Sequence, residues 1–191
     1  MSGSYLVNPA VFLIDTLFSL YVLALMLRFL LQWVEADFYN PISQFVVKLT
    51  HPPLRLTRRI LPSIGRIDTA SVVLMLVVQA LGGCLLFLIQ GVDFSIGFLA
   101  VWSFAQLLAL LFNVYLFAII AVALLSWISP APRNAAVSLL HSLTYPVLRW
   151  TRRVIPPMGG VDLSPLVALI VIQIAKMLIM QPLLQLATSL N

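Results

Sequence analysis

Four apolar runs, each long enough to cross a bilayer, constrain this chain more than any other feature. They are Ala10 to Val34, Ala70 to Ile89, Phe94 to Ile128 and Leu163 to about Met180. Inside hydrocarbon each backbone N–H and C=O must be satisfied within the spanning structure, so runs of about 20 apolar residues become helices. Hydrophobic residues make up 62% of the 191 and charged residues 9%, against roughly 45–50% and about 25% in soluble domains. So few charges cannot cover a water-soluble globule. The composition excludes a soluble enzyme, a disordered regulator and an ordinary nucleic-acid-binding domain, and direct contact with nucleic acid is not expected. The net charge of +5 is read against a membrane surface instead. The expected fold class is an all-α membrane protein with four transmembrane helices.

The third run holds 35 residues. As one straight helix it is about 50 Å long, against a hydrocarbon core of about 30 Å; as two spans it leaves no residues for a loop. The expectation is one span over 104–128, preceded by an interfacial lead-in over 94–103 that carries Trp102. Pro182 is expected to end the last span. Nine of the eleven Lys and Arg residues fall between Glu35 and Thr69 or between Ser129 and Asp162. The positive-inside rule puts both segments in the cytoplasm and both termini outside. No basic residue precedes the first apolar run and Asp15 interrupts it, so that run is expected to stay as an anchor and not to be cleaved as a signal peptide. The lone Cys84 excludes an intrachain disulfide and lies in an apolar run, as a packing residue does.

Sliding the sequence by 94 residues brings Leu49–Asp68 onto Leu143–Asp162 with eleven of twenty positions identical. The same shift aligns Trp33 with Trp127, Asn40 with Asn134 and Gln79 with Gln173. The chain is a tandem duplication. Residues 1–93 form one unit, with spans at about 10–34 and 70–89 and an amphipathic segment over 41–61. Residues 94–191 form the second, with the lead-in 94–103, spans at about 104–128 and 163–181, and an amphipathic segment over 134–155. Each unit has two spans, so both insert the same way round, related by an axis along the membrane normal. Ile42, Phe45, Val46 and Leu49 form an apolar helical stripe, and Ala136, Leu139, Leu140 and Leu143 repeat it, as interfacial helices need. Asn40-Pro41 is an N-cap and first-turn signature. Pro52 and Pro146 are expected to stop these helices, with a second short helix following to Pro62 and Pro156. Trp33 and Trp127 mark the inner interface.

The run Asp37–Thr50, followed in both halves by Pro-x-x-x-x-Arg-Arg-x-x-Pro-x-x-Gly-x-x-Asp, resembles the YggT family of bacterial membrane proteins over nearly the whole chain. The resemblance implies a bacterial cytoplasmic-membrane protein with homologues in plastids. It also implies poorly defined roles: osmotic-stress tolerance, an association with cell division and nucleoid distribution, and, for plastid relatives, assistance with haem attachment during cytochrome complex assembly. It brings no catalytic residues.

The paired clusters Arg55, Arg58, Arg59 and Arg149, Arg152, Arg153 are the strongest chemical signal. They suit anionic phospholipid headgroups or an acidic membrane or cytoplasmic partner protein, because guanidinium forks match phosphate and carboxylate. They also serve as plain topology signals, although topology does not require the same three positions twice. Asp68 and Asp162 precede the second and fourth spans, as helix caps or as ion partners of the arginines. Gly65 and Gly159 suit the turn backbone. His51 and His141 are not equivalent in the repeat and lack carboxylate or cysteine at ligand spacing, so no metal site and no cofactor are expected. No nucleophile, metalloprotease or phosphate-loop motif is present, and the chain is read as a non-enzyme. Arg28 lies close enough to the cytoplasmic end to snorkel. Asp15 and Lys176 lie in the outer half of their spans, at depths that allow an intramembrane ion pair; separate snorkelling is the other reading. The expected function is a membrane scaffold or assembly factor with a duplicated basic platform, and the alternative is a small transporter or ion-homeostasis component. The sequence leaves oligomeric state open.

Overall fold

The structure is a computed structural model. It describes residues 3–64, 67–128, 134–154 and 162–191, with side chains from residue 8 onward and without those of 127 and 128. The expected roles of Gly65 and Gly159, the stop at Pro156 and the Trp127 side chain lie outside the described residues.

Six helices follow in order: α1 (Gly3–Trp33), α2 (Pro41–Ile60), α3 (Thr69–Gln90), α4 (Ile96–Ile128), α5 (Ala135–Val154) and α6 (Ser164–Ser189). Four are long and apolar enough to cross a membrane: Asn8–Trp33, Thr69–Gln90, Ile96–Ser126 and Ser164–Ser189. There is no strand among the described residues, only a turn at which Ile64 and Ile67 exchange two backbone hydrogen bonds of 3.1 Å. The duplication is visible directly, since α2 shifted by 94 residues is α5 to the residue.

The amphipathic segments begin as their sequence dictates. The Asn40 side chain accepts from the Ile42 N–H at 2.9 Å with Pro41 in the first turn. Asn134 accepts from Ala136 N–H at 3.1 Å in the second repeat. Their prolines do not stop them, contrary to expectation. α2 runs through Pro52 and Pro53, and α5 through Pro146. Proline costs a helix most where the carbonyl it strips of a donor is buried. Here those carbonyls belong to Lys48, Leu49 and Ser142, none of them buried. α6 likewise continues past Pro182 to Ser189.

The lead-in is also corrected. α4 is one helix of 33 residues, about 50 Å long. The Ser95 hydroxyl accepts from the Phe98 N–H at 3.0 Å and opens it. Phe94, Phe98 and Trp102 recur every fourth residue and converge on Phe87 of α3, with ring centroids 5.5, 5.6 and 5.1 Å away. That contact holds the first turns of α4 against α3 and leaves no break between lead-in and span.

α1 packs on α3, α3 on α4, and α4 on α6. Two adjacent glycines serve the first two joints. A Cβ on Gly82 would meet the Phe18 ring of α1 at 2.9 Å, and one on Gly83 would press into the Trp102 ring of α4. α6 and α1 are not packed on one another in the same way, so the repeats join along one flank and do not close symmetrically round an axis. The core sits in the half of the bundle that carries the amphipathic helices. Val22, Leu25 and Leu30 meet Leu54, Ala70, Met75, Ala118 and Leu143, and Ile119, Val122, Leu148 and Ala168 form its smaller second-repeat counterpart.

Candidate functional site

Each amphipathic helix ends in its arginines, Arg58 and Arg59 for α2 and Arg152 and Arg153 for α5, where cations meet the negative end of the helix dipole. An aspartate stands just before each following span. In the first repeat the Arg58 guanidinium donates to the Asp68 carboxylate. In the second, Arg152 donates to Asp162 through Nε at 3.0 Å and Nη2 at 2.8 Å. Both pairs are ten residues apart and exact copies under the shift of 94. Each fastens an amphipathic helix to the span that follows it.

The carboxylates differ in what else they accept. Asp68 is the N-cap residue of α3: its carboxylate takes the Ser71 hydroxyl at 2.6 Å and its backbone carbonyl the Ser71 and Val72 N–H groups at 3.0 and 3.2 Å. Asp162 takes both the hydroxyl and, at 2.9 Å, the backbone N–H of Ser164. Each aspartate is therefore an ion partner that also serves the start of the following span. Burial alone would push the Asp68 carboxyl up. Hydrogen bonds from Arg58 and Ser71, with the Arg58 charge, outweigh it and hold the group below the usual carboxylate range. At Asp162 the same opposition, burial against Ser164 and then Arg152, also ends below it.

With Arg58 and Arg152 committed, Arg55, Arg59, Arg149 and Arg153 stand exposed, without a carboxylate partner among the described residues. The Arg149 guanidinium lies 5.9 Å from the Tyr145 ring centroid. Exposed apolar side chains accompany the cations: Leu56 and Ile60 on α2, Trp150 and Val154 on α5. The two helices meet near their starts, where Asn40 Nδ2 donates to the Ala135 carbonyl at 2.8 Å. His51 and His141 are exposed on separate helices.

Arg28 does not snorkel. It is 7% exposed, and its Nη1 donates to the Val47 carbonyl at 3.1 Å and to Thr50 Oγ1 at 2.9 Å. Asp15 and Lys176 do not pair. Lys176 Nζ donates to Asn113 Oδ1 at 2.7 Å, while Asp15 accepts from Ser19 Oγ at 3.5 Å. The reason is lateral: Asp15 stands on α1 and Lys176 on α6, which lie on opposite flanks, and α4 supplies the lysine with a neutral amide. Asp15, Ser19, Gln79, Gln106 and Asn113 line a cavity of about 380 Å³ in the half of the bundle away from the amphipathic helices. Asn113 carries no signal at the repeat offset, since Ser19 is its counterpart.

A family model described as CCB3/YggT matches residues 7–89 and 101–183, so its two matches start 94 residues apart. The chain is 40% identical over 175 residues to an uncharacterized protein of Pseudomonas aeruginosa, covering 90% of this chain and 88% of that one. It is 42% identical over 174 residues to an uncharacterized Vibrio alginolyticus protein (90% and 93% covered). It is 36% identical over 173 residues to the uncharacterized protein YggT of Escherichia coli strain K12 (89% and 88% covered). No solved structure matches the chain.

Proposed function

The chain belongs to the CCB3/YggT family across both repeats, and from that premise we propose that it is a non-enzymatic membrane scaffold. Its two amphipathic helices form a basic cytoplasmic platform for anionic phospholipid and for an acidic partner protein in a bacterial inner membrane, with both termini periplasmic. The observation that carries this reading is the duplicated clasp. One arginine of each cluster is spent on an aspartate, so helix and span are held in fixed relation. The remaining four arginines are left free for a ligand. Guanidinium groups beside exposed Trp150, Leu56 and Ile60 suit the boundary between headgroups and acyl chains, where each basic residue contributes about 1 kcal/mol of attraction to an anionic leaflet.

The test spares the clasp. Arg55, Arg59, Arg149 and Arg153 are changed together to Gln and the protein is reconstituted in vesicles of phosphatidylcholine with labelled phosphatidylglycerol. The native chain gathers the labelled lipid, and the variant loses most of that enrichment. Cross-linking from the same four positions in native membranes reads out the protein partner. Equal enrichment in both proteins, with no cross-linked partner, ends the scaffold reading.

A second reading, a small transporter or ion-homeostasis component, is favoured by the cavity that holds Asp15, Gln79 and Asn113 beside the Lys176 ammonium. Ion flux across vesicles, abolished by Asp15→Asn or Lys176→Met, is its signature; the scaffold gives none.

A further inference from the structure

Where α1 meets α2 on the cytoplasmic side, a cavity of about 400 Å³ is lined by Arg28, Gln32, Glu35, Ser43 and Arg58, with Leu31, Val46 and Phe38 among its apolar walls. Its size falls within the roughly 300–1,000 Å³ of small-molecule sites. Arg28 is 7% exposed and Ser43 6% exposed, and of the Arg28 guanidinium only Nη1 is bonded to a described residue. A guanidinium has five N–H donors. Those of Arg28 Nε and Nη2 stay open to the cavity, while the Ser43 hydroxyl is buried without a partner. A buried cation normally has a carboxylate beside it; the Asp68 carboxylate, whose charge reaches Arg28, is held by Arg58.

The second repeat is a control built into the same molecule. The positions equivalent to Arg28 and Ser43 are Val122 and Val137, and both are buried. α5 takes its place on α4 there without any arginine, its Thr144 hydroxyl bonding only back to its own helix at 2.8 Å. The architecture therefore does not require a buried cation and an orphan hydroxyl at this joint. The first repeat keeps them for another reason.

We propose that this cavity binds a phosphodiester group, held by Arg28 and the Ser43 hydroxyl with Arg58 at its rim. Guanidinium and hydroxyl donors converging on one space fit phosphate oxygens. The apolar walls and the position at the membrane boundary suit the headgroup of an inner-leaflet phospholipid over a free phosphoester. This site is independent of the exposed arginines of the scaffold reading and confined to the first repeat.

The full-length chain in neutral detergent is titrated with dihexanoyl-phosphatidylglycerol, with inorganic phosphate and with uncharged dihexanoylglycerol, reading the thermal midpoint, which rises with occupancy of a site present only in the folded state. The phosphatidylglycerol gives a saturable rise, and dihexanoylglycerol none. A rise of the same size with inorganic phosphate identifies a free phosphoester as the occupant. Arg28→Val with Ser43→Val, which writes the second repeat's residues into the first, weakens binding about tenfold or more, the loss of one charge-assisted hydrogen bond or more. Substituting the four exposed arginines leaves it unchanged, so this site and the platform stand or fall separately. If the double variant does not fold, Ser43→Val alone decides: weaker binding supports the site and equal binding overturns it. No saturable rise with either phosphate compound in the native chain, or a rise that survives in the double variant, also overturns it.

Discussion

Asp68 and Asp162 answer the same arginine but sit in different surroundings. The Asp68 side chain is 3% exposed and that of Asp162 32%. Removing the negative charge should hurt the buried member more, since partly exposed pairs are screened by water. Asp68→Asn is expected to cost about 1–2 kcal/mol and Asp162→Asn less, read as the order of thermal midpoints in detergent. Both carboxyls titrate below their ordinary value when folded. The stability they contribute is therefore complete above the unfolded carboxylate value of about 3.9 and is lost as pH falls through the folded one. The midpoint gap between the native chain and an Asp68→Asn/Asp162→Asn variant should be constant near neutrality and should narrow below about pH 4. A gap that persists there would assign the loss to packing instead.

Among the elements, α3 has the tightest tolerances, because it is flanked by α1 at Gly82 and by α4 at Gly83. Gly83→Ala drives a methyl into the Trp102 ring and is expected to destabilise by about 1–3 kcal/mol. Trp102→Leu should recover part of that loss, a coupling that a double-mutant cycle measures. Pro146→Ala returns an N–H to a helix that already runs through the position. Its thermal midpoint should hold or rise; a fall would mean that the ring fixes a bend that α5 needs. The elements also show what a sequence discloses. The clasp was legible because duplication repeats Arg58, Arg152, Asp68 and Asp162 at one offset. The prolines misled because their cost depends on whether the freed carbonyl is buried, which composition does not reveal. The lead-in misled because length argued against a longer helix, although Phe94, Phe98 and Trp102 already carried helical spacing. Asp15 and Lys176 misled because depth fixes only the level of a residue, and two residues at one level can stand on helices that never meet. Arg28 was visible as a charge, but the cavity it shares with Ser43 emerges only once α1 and α2 are seen together.

For the whole molecule, four spans with both amphipathic helices on one side require a single topology. Reporter fusions within residues 61–67 should read as cytoplasmic and those after Gln90 as periplasmic, and unlike readings for the segments that precede Asp68 and Asp162 would sink the arrangement. The joint between repeats is one-sided. α1 reaches α5 while α4 makes no matching contact with α2. Phe45 and Leu49 on α2 are accordingly 65% and 46% exposed, whereas their counterparts Leu139 and Leu143 are 6% and 3% exposed. That asymmetry also bears on how the protein is made. A ribosome delivers the chain from its N-terminus at roughly 5–20 residues per second, so the 94 residues of one unit take roughly 5–20 s to follow the other. The first unit's clasp, its α1–α3 contact at Gly82 and the Arg28 bonds to α2 all lie within residues 1–90 and can form in that interval. Gly83 and Asn40 must wait, facing lipid and water, for Trp102 and Ala135 to emerge. The earlier half thus presents a finished edge on which the later half is laid down.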